Sequence, residues 1–308
     1  MPLGTLHAWG ANHLGQAGAG PGEDRLAPLP VEGLPPVQAV CASPAGAVLA
    51  LDGKGSVWSW GWNHQGMLGR WAQPAGAQPI WPPTSLRRRR HRMLEPDPAD
   101  PAAIVLQGAC PPAPLPGLPP IGQIALGNDN GYALDAEGQL WAWGAGIGTG
   151  HPWPKNQIET PVHWAPVRVP GLPALRSVHV HPEGLAAYAI DTTGQAWSWG
   201  NGCEGELGHG KRRNDHVPGR IAGLRAVRSL AAGSFCALAV QEDGSAWGWG
   251  NAQDGVGFLP PTKRTLRVLE PVPVQDMGAA VRQAWMGGYL ALYRTVDGSM
   301  HGAGVGLL

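Results

Sequence analysis

Short apolar stretches separated by tight turns run through most of the chain. One unit begins with an apolar stretch at residues 227–233, followed by a second at 237–240 and then by an Asp243-Gly244 turn. Asp-Gly between two apolar stretches is a strong hairpin signal. A third stretch with the pattern Trp-x-Trp-Gly and a fourth of Pro-Val character complete the unit. The pattern therefore predicts four short β-strands per unit and almost no helix.

The third strand of this unit recurs along the chain, and its closing glycine marks a period. The closing glycines are Gly10, Gly61, Gly144, Gly200, Gly250 and, in a degenerate sixth copy, Gly304. Subtracting successive positions gives spacings of 51, 83, 56, 50 and 54 residues, so one interval contains an insertion. Four short strands per unit, repeated around a ring, predict a β-propeller. A β-sandwich would not produce this self-similarity.

The paired tryptophans of the third strand are expected to form the core of the repeat. Residue alternation along a strand puts both indoles of Trp-x-Trp on the same face of the sheet. Large aromatic side chains on one face favour packing against a neighbouring blade. The tryptophans expected in this core are Trp9, Trp58, Trp60, Trp141, Trp143, Trp197, Trp199, Trp247 and Trp249.

The number of blades is predicted by counting strand types. Complete pairs of first and second strands occur five times, and so do closing Pro-Val strands. We therefore predict a single domain, residues 1–308, folded as an all-β propeller of five blades. Residues 281–304 and 5–32 would share one blade, which removes two open sheet edges. Because a Trp-Gly strand is present at both ends, six blades or an open fragment are the alternatives.

The repeat resembles that of a known family. The motif Asp-Gly-x-x-Trp-x-Trp-Gly-x-Asn-x-x-Gly-x-Leu-Gly is clearest at residues 55–69 and 194–208, with a third copy at 10–18. It resembles the regulator of chromosome condensation repeat, and the resemblance covers nearly the whole chain except residues 70–111. It implies a propeller, which in that family has seven blades, so seven blades is a further alternative to five. Because function on a shared fold resides in individual sites, the motif is a stronger guide to fold than to activity.

The resemblance implies three roles. Members of the family exchange nucleotide on a small GTPase, serve as interaction domains of ubiquitin ligases, or sense UV-B light through tryptophans. No loop of this chain matches the exchange wedge, so no exchange residues are transferred. The light-sensing class has a Gly-Trp-Arg-His-Thr loop, which Gly61-Trp62-Asn63-His64 matches only in part.

Net charge, apolar runs and cysteine spacing indicate which partners and which cellular compartment to expect. The formal net charge is zero, so no global basic field attracts nucleic acid or an anionic membrane. No apolar run is long enough to span a bilayer, and the first ten residues lack the pattern of a signal peptide. The cysteines have no CxxC or zinc-site spacing; they are Cys41, Cys110, Cys203 and Cys236. We expect a cytoplasmic protein without a metal or cofactor, of undetermined oligomeric state.

Residues 70–111 form a Pro- and Arg-rich insertion that carries the candidate partner-binding site. Its basic stretch consists of Arg87, Arg88, Arg89, Arg90, His91 and Arg92. Guanidinium groups match phosphate and carboxylate oxygens, so an acidic protein is the expected partner, and any nucleic-acid contact is expected here. The alternative is a solvated loop whose acidic end, Glu95 to Asp100, screens its basic end.

No other motif predicts a catalytic or ligand site. The glycine-rich residues 144–150 are not followed by a helix, as a phosphate loop would be. His179 and His181 share a strand face, but no third metal ligand stands beside them, and a structural role is expected. We predict a non-catalytic protein-interaction scaffold. The alternatives are an exchange-factor-like regulator, an enzyme with residues at the channel mouth, and a tryptophan-based UV-B sensor.

Overall fold

The computed structural model describes residues 3–18, 22–70, 109–152, 162–181, 183–251, 267–274, 279–287 and 290–304. Within these ranges the regular structure is β-strand, apart from two three-residue 3-10 turns at His64–Gly66 and Ile147–Thr149. Neither helical turn is long or apolar enough to cross a membrane. The predicted all-β class is confirmed.

The described strands form six antiparallel sheets, numbered here in chain order. Sheet 1 contains β1 (His7–Gly10) and β2 (Arg25–Pro30). Sheet 2 contains β3 (Val37–Ala42), β4 (Ala47–Asp52), β5 (Val57–Trp62) and β6 (Ala109–Pro114). Sheet 3 contains β7 (Ile121–Leu126), β8 (Asn130–Asp135), β9 (Leu140–Ala145) and β10 (Val162–Arg168).

Sheets 4 and 5 repeat the four-stranded plan, and sheet 6 has three strands. Sheet 4 contains β11 (Leu175–Val180), β12 (Ala186–Asp191), β13 (Ala196–Gly200) and β14 (Asp215–Arg220). Sheet 5 contains β15 (Val227–Ala232), β16 (Cys236–Gln241), β17 (Ala246–Asn251) and β18 (Arg267–Pro273). Sheet 6 contains β19 (Val281–Met286), β20 (Leu290–Thr295) and β21 (Met300–Gly304). Within each sheet the strands pair in chain order.

The core lies between consecutive sheets, because the second strands β4, β8, β12 and β16 are buried on both faces. On β12, Ala187 and Ala189 pack in a cluster with sheet 3, whereas Tyr188 and Ile190 pack in a cluster with sheet 5. The small alanines leave room for the indoles opposite them, since Ala187 pairs with Trp199. Because successive side chains of β12 point to opposite faces, this one strand contributes to the junctions with both neighbouring sheets.

One hydrogen bond recurs at the sheet junctions. The indole nitrogen of the second tryptophan donates to a backbone carbonyl in the loop that follows the third strand of the preceding sheet. The four bonds are Trp60 to Gln16 (3.0 Å), Trp143 to Met67 (2.9 Å), Trp199 to Gly148 (2.8 Å) and Trp249 to Glu206 (2.7 Å). Buried indole N–H groups require an acceptor, and these loops supply one.

The tryptophans assigned to the repeat core occupy three environments. The four junction indoles, Trp60, Trp143, Trp199 and Trp249, are 0–1% exposed. Trp197 is also buried, and the other first-position tryptophans, Trp58, Trp141 and Trp247, are half-buried. Trp9 departs from the expected core because it is 65% exposed. Trp9 lies in sheet 1, and within the described residues no core cluster includes it.

The prediction of five blades, with one shared by the two chain ends, is wrong. The structure has six sheets, and β1 and β21 lie in different ones. Both strands are copies of the third strand of the repeat, so a single sheet has no place for both. β1 pairs with β2, and β21 pairs with β20. Within the described ranges, no strand pairing and no core cluster joins sheet 6 to sheet 1. The blades form an open arc.

We predict that Trp199→Phe lowers the free energy of unfolding by about 2–4 kcal/mol, because it removes a buried hydrogen bond and leaves a void. Urea unfolding followed by circular dichroism measures the change. Trp9→Phe is the matched control: the same substitution at an exposed copy of the position should change stability by less than about 0.5 kcal/mol. Equal losses in both variants would contradict the role given to the junction bond.

Candidate interaction surface

The two rims of the arc are built differently. Because the strands are antiparallel, the hairpins between second and third strands all lie at one rim, here called the turn rim. The third strands end and the fourth strands begin at the other rim, here called the loop rim. The described residues of the connections between them are 11–18, 22–24, 63–70, 146–152 and 201–214.

At the turn rim, aspartate carboxylates accept hydrogen bonds that stabilise the hairpins. Asp191 Oδ1 accepts from the backbone nitrogens of Thr193 (2.9 Å) and Gln195 (3.0 Å), and its Oδ2 accepts from the indole of Trp197 (3.0 Å). Asp52 and Asp135 make the equivalent bonds. Burial alone would raise the pKa of Asp191, but the hydrogen bonds together outweigh it and the pKa is lowered. These carboxylates are not available to a ligand.

The loop rim is described most completely in the connection at residues 201–214. Gly202 N donates to Asn214 Oδ1 (3.1 Å), and Arg212 Nε donates to the carbonyl of Cys203 (2.9 Å). Glu204 forms an ion pair with Arg267 of sheet 5 (2.6 Å). The loop is thus closed on itself and tied to the next sheet.

A basic tip projects from this braced loop. Lys211, Arg212 and Arg213 are consecutive and exposed. Arg213 lies 3.3 Å from Asp215, and Arg212 lies 3.9 Å from Glu204, with both arginine side chains more than half exposed. Exposed pairs of this kind contribute little stability, so both guanidinium groups remain available to a partner. We call residues 211–213 the basic tip.

The sequence analysis missed the basic tip, although it is visible as Lys-Arg-Arg just after a Leu-Gly of the repeat. The predicted site, Arg87, Arg88, Arg89, Arg90, His91 and Arg92, lies outside the described residues. It falls in residues 63–108, the connection of sheet 2 that corresponds to residues 201–214 of sheet 4. Both basic stretches therefore belong to the same type of connection.

A serine, a histidine and an aspartate meet at the base of this loop. His209 Nε2 lies 2.9 Å from Ser198 Oγ, and His209 Nδ1 lies 2.8 Å from Asp215 Oδ2. The Ser198 hydroxyl donates to the carbonyl of Leu207 (2.7 Å), which therefore competes with His209 for its one proton. Ser198 is completely buried. The arrangement resembles a catalytic triad in order but presents no nucleophile to a substrate.

The same position in sheet 2 explains what this trio does. Arg70 follows Leu-Gly as His209 does, and its Nε donates to Ser59 Oγ (2.9 Å). Arg70 Nη2 also donates to the carbonyl of Pro111 in the fourth strand (2.6 Å). In both sheets the residue after Leu-Gly forms hydrogen bonds to the third strand and to the fourth, and so connects them. Sequence reasoning could not find the trio, because Ser198 and His209 come together only when the loop folds.

The inner strands β3, β7, β11, β15 and β19 line a central cavity of about 460 Å³. Its titratable lining groups are His179 and Cys41. Burial lowers the pKa of His179 to about 4 and raises that of Cys41 to about 12, so both are neutral near pH 7. His181 bonds instead to Ser234 (3.3 Å). Among the described residues, no cluster of three metal-ligating side chains exists.

Glu206 is a buried carboxyl group at the junction of sheets 4 and 5. Its carbonyl accepts from Tyr188 (2.7 Å) and Trp249 (2.7 Å), and its carboxylate accepts from Glu204 N (2.7 Å) and the amide of Asn201. Burial raises the pKa of Glu206 to about 7, although these hydrogen bonds oppose the shift. In sheet 1 the equivalent residue is Gln16, whose Oε1 accepts from Leu14 N (2.9 Å) in the same way.

The comparisons with known proteins agree with this geometry. Residues 193–240 match the family model of the Regulator of chromosome condensation (RCC1) repeat. The human E3 ubiquitin-protein ligase HERC2 is 28% identical over 239 residues, which is 75% of this chain and 4% of that protein. The guanine nucleotide exchange factor SRM1 of Saccharomyces cerevisiae is 27% identical over 198 residues, which is 60% of this chain and 39% of that protein. The chain therefore spans a minor part of these relatives.

The crystal structure of Prp20p from Saccharomyces cerevisiae has the same fold, with a TM-score of 0.73 and 23% identity over 99% of this chain and 66% of that one. Four-stranded antiparallel blades joined by indole bonds, around a cavity lined by inner strands, define a protein of the β-propeller class. Residues 193–240 match the RCC1 repeat, and the chain is similar to RCC1-repeat proteins over most of its length.

We predict that Glu206→Gln makes the protein more stable at alkaline pH. The folded state raises the pKa of Glu206 from its ordinary 4.5 to about 7, so wild type loses stability as pH rises between these values. The variant should gain up to about 3 kcal/mol at pH 8 and nothing at pH 4.5. Gln16 shows that a glutamine amide accepts the same backbone bond, and the amide of Asn201 can flip to receive the new N–H groups.

Urea unfolding of both proteins at several pH values from 4.5 to 8 measures this effect as the difference between variant and wild type. Taking the difference removes every other titrating group from the comparison. A difference that stays constant with pH would show that Glu206 does not titrate in this range.

Proposed function

We propose that this chain is a non-catalytic protein-interaction scaffold whose loop rim binds an acidic surface of a partner protein. The proposal rests on the basic tip, Lys211 to Arg213, exposed at the end of a connection that is braced at both ends. Guanidinium and ammonium groups pair with carboxylates, and a net charge of zero makes the attraction local to this tip.

The bracing supports the proposal energetically. Association costs the freedom of every side chain and loop that it orders, so a loop already held in place binds with a smaller loss. The Arg212 bond to Cys203 closes the loop on itself, and the Glu204 pair with Arg267 ties the loop to sheet 5. At the turn rim, by contrast, the carboxylates of Asp52, Asp135 and Asp191 are engaged by backbone and indole donors.

The family resemblance supports an interaction role without choosing a partner. HERC2 is a ubiquitin ligase, and this chain corresponds to 4% of its length, so the resemblance concerns a segment rather than the whole enzyme. The resemblance to SRM1 supports a second candidate, a regulator that promotes nucleotide exchange on a small GTPase. In that case the acidic partner would be the GTPase itself.

We predict that replacing Lys211, Arg212 and Arg213 together by glutamate abolishes partner capture without unfolding the protein. All three side chains are exposed, so the melting temperature should fall only slightly, through loss of the Arg212 bond to Cys203, whereas an acidic partner would meet three repulsive groups. The measurement compares, by quantitative mass spectrometry, the proteins that wild type and variant retain from an extract of the source cells. Retention by wild type should fall as salt is raised.

Lys54→Glu is the matched control, because Lys54 is an exposed cation on the turn rim. This variant should retain the same proteins as wild type. If the control loses them equally, charge in general matters and the loop rim has no special role. If the triple variant keeps them, the basic tip is not the binding site.

The exchange-factor candidate has a direct test. Purified small GTPases loaded with a fluorescent GDP are mixed with the chain, and the release of the nucleotide is followed. Faster release with wild type, lost in the triple variant, would favour the exchange role over a scaffold. Partner capture without faster release would favour the scaffold.

We also predict that a fluorophosphonate probe, which labels activated serines, does not react with the native protein. Ser198 is completely buried and the carbonyl of Leu207 competes for its proton, so the hydroxyl cannot attack. Intact-mass measurement of the treated protein, with Ser198→Ala as the blank, provides the test. Labelling of wild type that the variant lacks would overturn the non-catalytic proposal.

A further inference from the structure

Two short connections meet at the loop rim where sheets 4 and 5 adjoin. They join the first strand of each sheet to the second, at residues 181–185 and 233–235. His181 Nδ1 lies 3.3 Å from Ser234 Oγ, and a Cβ on Gly184 would lie 3.4 Å from the carbonyl oxygen of Gly233. The two connections are therefore in direct contact across the junction of the two sheets.

Each of these connections ends in an exposed apolar side chain. Leu185 is 39% exposed and Phe235 is 41% exposed. The carbonyl of Leu185 accepts from Asn201 N (3.1 Å), and that of Phe235 accepts from Asn251 N (2.9 Å). Both residues therefore stand at the same place in the repeat, just before the second strand and beside the end of the third. We call Leu185 and Phe235 the apolar pair.

The fold does not require a large apolar side chain at this place. In sheet 2 the equivalent residue is Gly46, whose carbonyl accepts from Trp62 N (3.0 Å). In sheet 3 it is Asp129, whose carbonyl accepts from Ala145 N (3.0 Å). A glycine and an aspartate thus serve the same backbone role. The apolar pair adds exposed apolar surface on two adjoining sheets, which is the composition of a contact surface.

The apolar pair borders the connection that carries the basic tip. Leu185 is bonded to Asn201, the first residue of that connection. Phe235 is bonded to Asn251, whose Nδ2 donates to Glu204 Oε2 of the same connection (3.1 Å). The braced loop at residues 201–214 is therefore in contact with both members of the pair through hydrogen-bonded neighbours.

The basic tip lies about 10 Å from the apolar pair. Gly202 N donates to Asn214 Oδ1 (3.1 Å), and the carbonyl of Arg213 leaves no room for a Cβ on Gly202. Leu185 leads into β12 and Arg213 leads toward β14, so two strand spacings, or about 10 Å, separate their backbones. An extended peptide advances about 3.3 Å per residue, so about three residues span this distance.

Charge around the apolar pair is unevenly placed. Positive charge stands at the basic tip, on the side of the fourth strand. Acidic side chains stand closer to the pair: Glu183 is exposed in the same connection as Leu185, and Asp129 holds the equivalent position of sheet 3. A nucleic acid carries a phosphate at every step and would be repelled there, and Leu185 offers no ring for a base to stack on. The arrangement favours a peptide that is acidic at one end only.

We propose that the apolar pair and the basic tip form one binding surface for a segment of the partner protein. In this segment a large apolar side chain stands about three or four residues from a group of acidic residues. The apolar side chain docks against the apolar pair, and the acidic residues pair with the basic tip. This inference rests on the proposed function, because it names the chemistry of the partner at the same rim. Burial of the apolar side chain adds affinity that exposed ion pairs do not supply alone.

The experiment selects peptides from a random library displayed on phage, with the 308-residue chain as bait. The retained sequences should combine an apolar residue with acidic residues at the proposed spacing. One enriched peptide is then synthesised with a fluorescent label, and its Kd is measured by fluorescence polarisation. Replacing the apolar pair by asparagine, as Leu185→Asn with Phe235→Asn, should weaken binding about tenfold or more, because the anchor loses its apolar contact.

The matched control is Val167→Asn on the outer strand β10, because Val167 is 39% exposed, as Leu185 is. This variant should bind the peptide as wild type does. Asp129 shows that a polar side chain of the same shape fits the position of the apolar pair, so the double variant should fold, which circular dichroism checks. Leu185→Ser with Phe235→Ser repeats the test if the asparagine variant fails to fold.

Enriched peptides that are acidic but lack an apolar residue, or a Kd that the double variant leaves unchanged, would overturn this inference and leave the proposed function standing. A selection that enriches no peptide would also overturn the inference, and the capture experiment with the basic tip would then decide the proposed function alone. Enriched peptides without acidic residues would count against both. Displacement of the peptide by an oligouridylate that itself requires Phe235 would assign the surface to RNA.

Discussion

The bond from a buried indole nitrogen to a loop carbonyl of the preceding sheet is the constraint on which the rest of this structure depends. An indole buried between two sheets needs an acceptor, and at each of four junctions a loop carbonyl provides it. The loop must also let the ring approach: a Cβ on Gly208 would lie 3.1 Å from the ring of Trp249. The bond therefore ties the glycines of the repeat motif to its tryptophans.

This constraint divides the molecule into parts that must be kept and parts that are free to change. The first half of the connection at residues 201–214 supplies the carbonyl for Trp249 and the bracing carboxylate of Glu204. The second half projects beyond the junction and carries the basic tip. A braced base with an exposed end suits loop-borne recognition, and the proposed binding at the loop rim rests on this arrangement.

The sequence predicts the fold class because the signals for it are local. Trp-x-Trp-Gly and Asp-Gly identify strands and hairpins without knowledge of distant contacts. The blade count failed because strand type does not determine pairing: β1 and β21 are both third strands, and only the structure shows that each keeps its own sheet. Trp9 carries the motif of a core residue, but its burial depends on a neighbouring sheet. The trio of Ser198, His209 and Asp215 depends on how a loop closes.

The junction also gives the arc a direction. Each indole donates toward the preceding sheet, so the chain of sheets has unlike ends, and no arrangement of its blades makes them alike. Repeat arrays gain stability from nearest-neighbour interfaces, and a terminal unit has one such interface where an internal unit has two. In the part of the chain that the structure describes, sheet 1 has two strands and sheet 6 has three, so these two sheets gain the least from strand pairing and from neighbouring sheets.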